Sequence, residues 1–167
     1  MPPTKKPKEK TRSASPPKGR EALTGTAATT RLVSISAQEY ADRRDAVAAG
    51  MHAAGLDALC VFYPARIAYL TGFHHIPTER PIVLILGAEG DATLVVPAVE
   101  KEHAESTAAT SQVDVYFEYP GAEHPMERVA TVLGERAAKP KRTGADHDGF
   151  VPYWGYRGPR LSDLIGE

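Results

Sequence analysis

Cysteine is almost missing from this chain. Cys60 stands alone among 167 residues, so no internal disulfide framework is available. Apolar runs are short, none near the ~20 residues that span a bilayer, so no membrane partner is expected. The N-terminus is basic but has no apolar core region, which excludes a secretory signal. A cytoplasmic protein is therefore the expectation. A large charge excess is missing too, since the net charge is −1. Residues 1–30 hold five Lys and two Arg against two Glu, a balance of +5, which leaves −6 on the rest. A mildly acidic body does not suit a nucleic-acid-binding domain. Also missing are internal repeats, a His-Glu-x-x-His sequence, a paired-cysteine metal motif and an identifiable activated serine.

What is present divides into a tail and a body. Residues 1–30 are rich in Pro, Ser, Thr and Lys, with one Leu and no aromatic residue. Such a stretch buries too little apolar surface to offset chain entropy, so a disordered basic tail is expected. Lys5, Lys6, Lys8 and Lys10 could contact an anionic surface or act as an import signal, but they read first as a solvated extension, because short basic runs are weakly specific.

Residues 31–167 read as one domain. Ser36-Ala-Gln-Glu39 has the form of a capping box, with the Glu39 carboxylate reaching back to Ser36. Tyr40, Val47, Met51 and Ala54 follow at helical spacing, and Gly55-Leu56 suits a helix end. The spacing predicts a helix from Ala37 to Ala54. Ala58–Tyr63 is apolar without alternation, as in a strand covered on both faces, and Pro64 ends it. A short helix follows from Ala65 to Leu70, closed by Gly72. Ile82–Leu86 and Thr93–Val96 flank the turn residues Gly87–Asp91, which predicts an antiparallel hairpin. Val99–Thr107 reads as a helix and Asp114–Tyr119 as an alternating strand. Pro125 starts another helix, with Met126, Val129, Val132 and Leu133 as its apolar stripe. Arg142–Ala145 is a short edge strand, and Pro159 opens a terminal helix to Ile165. The sum is an α/β domain, a mixed β-sheet with helices on both faces.

The ordered blocks Gly55–Tyr63, Tyr69-Leu-Thr-Gly-Phe73, Arg80–Leu86, Thr93–Pro97 and Glu100–Ala104 carry more. With the preceding helix and the stretch His74-His-Ile-Pro-Thr-Glu-Arg-Pro81, they resemble the N-terminal domain of the creatinase, prolidase and aminopeptidase P family, over residues 38–166. The likeness is to the Xaa-Pro peptidase branch. It implies a ribonuclease H-like α/β layer. It also implies that catalysis belongs to a second, pita-bread domain with two divalent metals, manganese, cobalt or zinc. The chain ends at Glu167, before such a domain would begin. The expectation is therefore a non-catalytic domain without catalytic residues, metal ligands or cofactor of its own. Its expected partners are a second copy of the chain or a separate catalytic subunit, with peptide substrate met only in a full-length setting. The alternative is a free-standing dimerisation or small-ligand-binding module.

The resemblance also points to site residues. The loop after Tyr69-Leu-Thr-Gly72 is the part that reaches a neighbouring active site in dimeric relatives. His74, His75, Glu79 and Arg80 are thus the expected lip of a substrate entrance. Arg80 stands where a substrate-contacting Arg is found in creatinase-like dimers, and a guanidinium grips a carboxylate by two parallel hydrogen bonds. Tyr153, Trp154 and Tyr156 form an aromatic cluster, either core or an interdomain contact. The other polar groups have plainer readings. His74, His75, Glu100 and His103 fall short of a metal site. Cys60 is strand packing with a disfavoured thiolate. Asp146-His147-Asp148 is a solvated turn.

Overall fold

Ser36 starts the first helix by accepting the Glu39 backbone N–H at 3.1 Å. The structure, a computed structural model, describes residues 34–117, 123–135, 142–149 and 157–166. The expected tail over residues 1–30 lies outside them. Helix α1, Ala37–Ala54, has the expected bounds. Gly55 closes it at φ 66°, and Leu56 N–H reaches back to the Met51 carbonyl at 2.9 Å. Two expectations about α1 are corrected. The Glu39 carboxylate lies on the Arg43 guanidinium one turn on, where a charged donor is available, rather than on Ser36. Ala54 is exposed and Ala48 is buried in its place, because the inward stripe runs through Ala48 and Met51.

Strand β1 covers Ala58–Val61, shorter than expected. Pro64 does not merely end the strand but opens α2, Pro64–Thr71, where its missing N–H costs nothing. Strands β2, Val83–Gly87, and β3, Ala92–Pro97, form the expected antiparallel hairpin. A 3-10 turn, Ala98–Glu100, leads into α3, Lys101–Thr107. Strand β4 is Gln112–Tyr116, starting two residues before the expected Asp114. Helix α4, Pro125–Glu135, buries Met126, Val129, Val132 and Leu133, the stripe read from the sequence. Strand β5, Thr143–Ala145, and α5, Leu161–Ile165, complete the domain.

The sheet order is β4-β3-β2-β1-β5. Strands β1, β2 and β3 pair antiparallel, while β4 and β5 add in parallel at the two edges. Side chains alternate across the strands and build a core on each face. One joins Cys60, Val83, Ile85 and Val95 to Met126, Val129 and Leu133 of α4 and Leu161 of α5. The other joins Val61, Leu84, Leu94 and Val96 to Met51, Ile67, Phe73 and Ala104. The sheet is mixed, with helices on both faces.

The register sorts the connections to two ends. Val61 faces Leu84, Val83 faces Val95, and Pro97 faces Tyr116. Tyr63, the 73–82 loop, the 98–100 turn and Phe117 therefore gather at one end. Gly55–Asp57, the 87–91 turn and Ser111 gather at the other.

Candidate functional site

The loop from Phe73 to Pro81 is rooted at both sides. Gly72, at φ 79°, closes α2 and turns the chain into the loop. Its missing Cβ matters here, since one would stand 2.9 Å from the Tyr40 ring. The buried Thr71 hydroxyl donates to the Ile67 carbonyl at 2.7 Å and accepts Phe73 N–H at 3.1 Å. Phe73 is fully buried. Its ring stacks on His75 at 5.4 Å between centroids and meets His103 of α3 at 4.9 Å. At the far side, the Tyr116 hydroxyl donates to the Pro81 carbonyl at 2.9 Å.

Of the four expected lip residues, His75 is the least exposed. Burial pushes its pKa down to about 4, against the attraction of Glu100, while His103 and His74 add to the lowering. Its imidazole is therefore neutral near pH 7. His103 pairs with Glu100 at 3.0 Å. Among the described residues no group of three or more His, Cys, Asp or Glu is placed to hold a metal ion. His75 leans on Phe73 and His103 turns to Glu100, so these side chains do not converge on a common point. The residues near the lip do not fit the metal centre of the resembled enzymes.

His74 and His75 line an open cleft of about 510 Å³, with Ile35, Tyr40 and Arg43 on one wall and Pro64, Ala68 and Tyr69 on the other. Arg43 was not singled out by the sequence. Its guanidinium lies over the Tyr69 ring at 4.3 Å and donates to the Tyr69 carbonyl at 2.8 Å. A signal existed, since Glu39 and Arg43 stand four apart on α1. Glu79 and Arg80 are exposed and do not line the cleft. Arg80 N–H donates to the Thr78 hydroxyl at 3.2 Å, which shapes the last turn of the loop. The structure thus brings His74 and His75 together in one wall and sets Glu79 and Arg80 further along the same loop. Tyr153, Trp154 and Tyr156 lie outside the described residues.

Two other groups tie distant segments of the domain together. Arg44 points inward from α1 and donates to the Leu70 carbonyl at 3.0 Å and the Ala109 carbonyl. Burial lowers its pKa, with Asp45 opposing. The Asp146 carboxylate, its side chain 8% exposed, accepts Phe62 N–H at 2.7 Å, Tyr63 N–H at 3.3 Å and Arg66 at 3.1 Å. Asp148 accepts the Ser162 N–H and hydroxyl at the start of α5. The expectation of a solvated turn at Asp146–Asp148 is corrected. Where β1 leaves the sheet, its N–H groups need acceptors, and Asp146 supplies them.

Among the described residues the prominent feature of this α/β domain's loop end is a loop pinned at both roots. The sequence profile of the creatinase/prolidase N-terminal domain matches residues 43–158, and the chain belongs to that family. Solved structures agree. The creatinase/prolidase N-terminal domain of an X-Pro dipeptidase from Streptococcus pyogenes is 28% identical, over 74% of this chain and 88% of that one, with a TM-score of 0.57. A proline dipeptidase from Streptococcus pneumoniae is 29% identical, over 66% and 78%, with a TM-score of 0.55. Dipeptidase PepE from Mycobacterium ulcerans is 26% identical, over 80% of this chain but 34% of its own, with a TM-score of 0.57. Among curated proteins none matches the chain. No helix among the described residues is long and apolar enough to cross a membrane.

Proposed function

We propose that this domain is the non-catalytic N-terminal part of a Xaa-Pro dipeptidase- or aminopeptidase-like metallopeptidase. It contributes to dimerisation and walls the substrate entrance of a partner active site with His74, His75, Glu79 and Arg80. The observation that supports this is the loop itself, rooted by Phe73 and by the Tyr116–Pro81 bond while its middle stays exposed. Loops held on rigid scaffolds are where recognition residues concentrate. In this reading the metal-activated water belongs to the catalytic domain. The lip supplies shape, neutral imidazole from His75, and a guanidinium from Arg80 suited to a peptide carboxylate.

The test pairs the full chain with a separately expressed catalytic domain of a Xaa-Pro dipeptidase. Replacing Arg80 with Ala should raise KM for a Xaa-Pro dipeptide about tenfold, with kcat changed far less. An unchanged KM for the quadruple alanine variant of the lip would count against the proposal.

The cleft of about 510 Å³ favours a second reading, a free-standing dimerisation or small-ligand-binding module. Sedimentation showing self-association alone, with no complex with a catalytic domain, would favour it.

A further inference from the structure

The buried ring of Phe73 touches two imidazoles. His75 stacks on it at 5.4 Å and 25°, and His103 of α3 meets it at 4.9 Å and 45°. The three rings join the start of the loop to α3. His75 is held there with one nitrogen unsatisfied. Its Nδ1 is shut away from water and has no hydrogen-bond partner among the described residues. A neutral imidazole tolerates this, because Nδ1 can be the bare nitrogen of the ring. A protonated imidazole does not, because both nitrogens then carry a hydrogen. The added N–H is a buried donor with no acceptor, and the added charge sits half-buried.

The groups facing His75 offer that proton no acceptor. Glu100, in the turn before α3, attracts it, but this carboxylate already accepts from His103 Nδ1 at 3.0 Å. His103 and His74 oppose a further positive charge. Across the cleft stand Tyr40 and Arg43 of α1 and Tyr69 of α2, with Arg43 paired to Glu39. The cleft itself is open, and His75 lines it, so the ring has room to turn outward. The loop's other fastenings do not use this ring. The Thr71 hydroxyl holds the Ile67 carbonyl and Phe73 N–H, and the Tyr116 hydroxyl holds the Pro81 carbonyl.

We propose that His75, stacked on Phe73 with its Nδ1 buried and unpartnered, is an acid-released latch for the near half of the loop. A proton taken from solvent drives the ring out of the stack and into the cleft, and His74–Ile76 loosen from α3. Thr71 and Pro81 keep their hydrogen bonds, so both roots of the loop and the sheet stay in place. The latched ring holds off its proton until about 4, whereas a free ring takes it at 6.5. Opening and protonation therefore share one midpoint inside that window, and the latch is shut at neutral pH. The inference rests on packing at this root and is independent of the function proposed above.

The experiment is an NMR titration of the full chain from neutral pH into acid, following the His75 imidazole and the backbone amides together. The amides of His74, His75 and Ile76 should shift with the midpoint of the imidazole, below 6.5. Those of Val83–Gly87 and Ala92–Pro97 should not move with it. His75→Phe keeps a ring on Phe73 without a proton to gain, and His75→Gln is neutral throughout. Both should abolish the near-half shifts at that midpoint, and shifts that persist would overturn the latch. Should neither variant fold, the wild-type titration still decides. A His75 midpoint at 6.5 or above, or one that leaves the near half unmoved, would overturn the proposal. Loss of the sheet signals at or above the same midpoint would mean global unfolding and would overturn it too.

Discussion

The two ends of the sheet are built from the same strands and differ in what they show to water. At the turn end, backbone groups satisfy one another. Asp57 N–H donates to the Arg142 carbonyl, Arg142 N–H donates to the Asp57 carboxylate, and Gly87 and Asp91 close a tight turn. Small and polar residues suffice there. At the loop end, side-chain contacts hold apolar and imidazole groups in fixed places. Asp146 and Tyr116 each bridge segments distant in sequence. The contrast teaches that one end presents apolar and imidazole side chains on fixed roots, while the other joins its segments through backbone groups and the Asp57 carboxylate.

The largest expected effect tests whether the loop end is firm. Phe73→Ala removes a fully buried ring beneath His75 and His103. It should cost about 4 kcal/mol in urea unfolding. A loss under about 1 kcal/mol would mean a loosely packed root. Next comes Asp146→Ala, which leaves Phe62 N–H without its acceptor and frees Arg66. A cost of about 2–3 kcal/mol is expected, again by urea unfolding, and a neutral result would remove Asp146 from the framework.

The third effect is a pH slope, visible only in acid. His75 titrates near 4 in the folded domain against 6.5 when unfolded. As pH falls below 6.5 the unfolded chain takes up this proton first, so stability is lost between about 6.5 and about 4. Above that window His75 adds no slope. Urea midpoints of the wild type and His75→Gln, taken across this range, should diverge as the pH drops. Parallel curves would show an imidazole freely reached by water.

Much of this fold was legible in the sequence. Ser36 and Gly55 bracket α1 because a cap and a left-handed glycine are local signals. The α4 stripe and the β2–β3 hairpin were equally plain, because periodicity and turn residues act within a few positions. The loop from His74 to Arg80 was singled out only through resemblance. What stayed hidden depends on distant partners. Arg44 sits within an apolar stripe, and its acceptors are 26 and 65 residues away. Asp146 looked like a wet turn because its main acceptor role joins it to Phe62, 84 residues earlier. Spacing along one helix or strand carries no trace of such contacts. The cleft was hidden likewise, since Arg43 and Tyr69 meet across two helices.

In the function proposed above, this domain shapes a neighbour's entrance and leaves hydrolysis to a catalytic domain. Incubating the purified chain alone with Xaa-Pro dipeptides and added manganese tests that directly. Product formation should stay at the level of the buffer blank. Sustained turnover that follows the chain through purification would contradict the account.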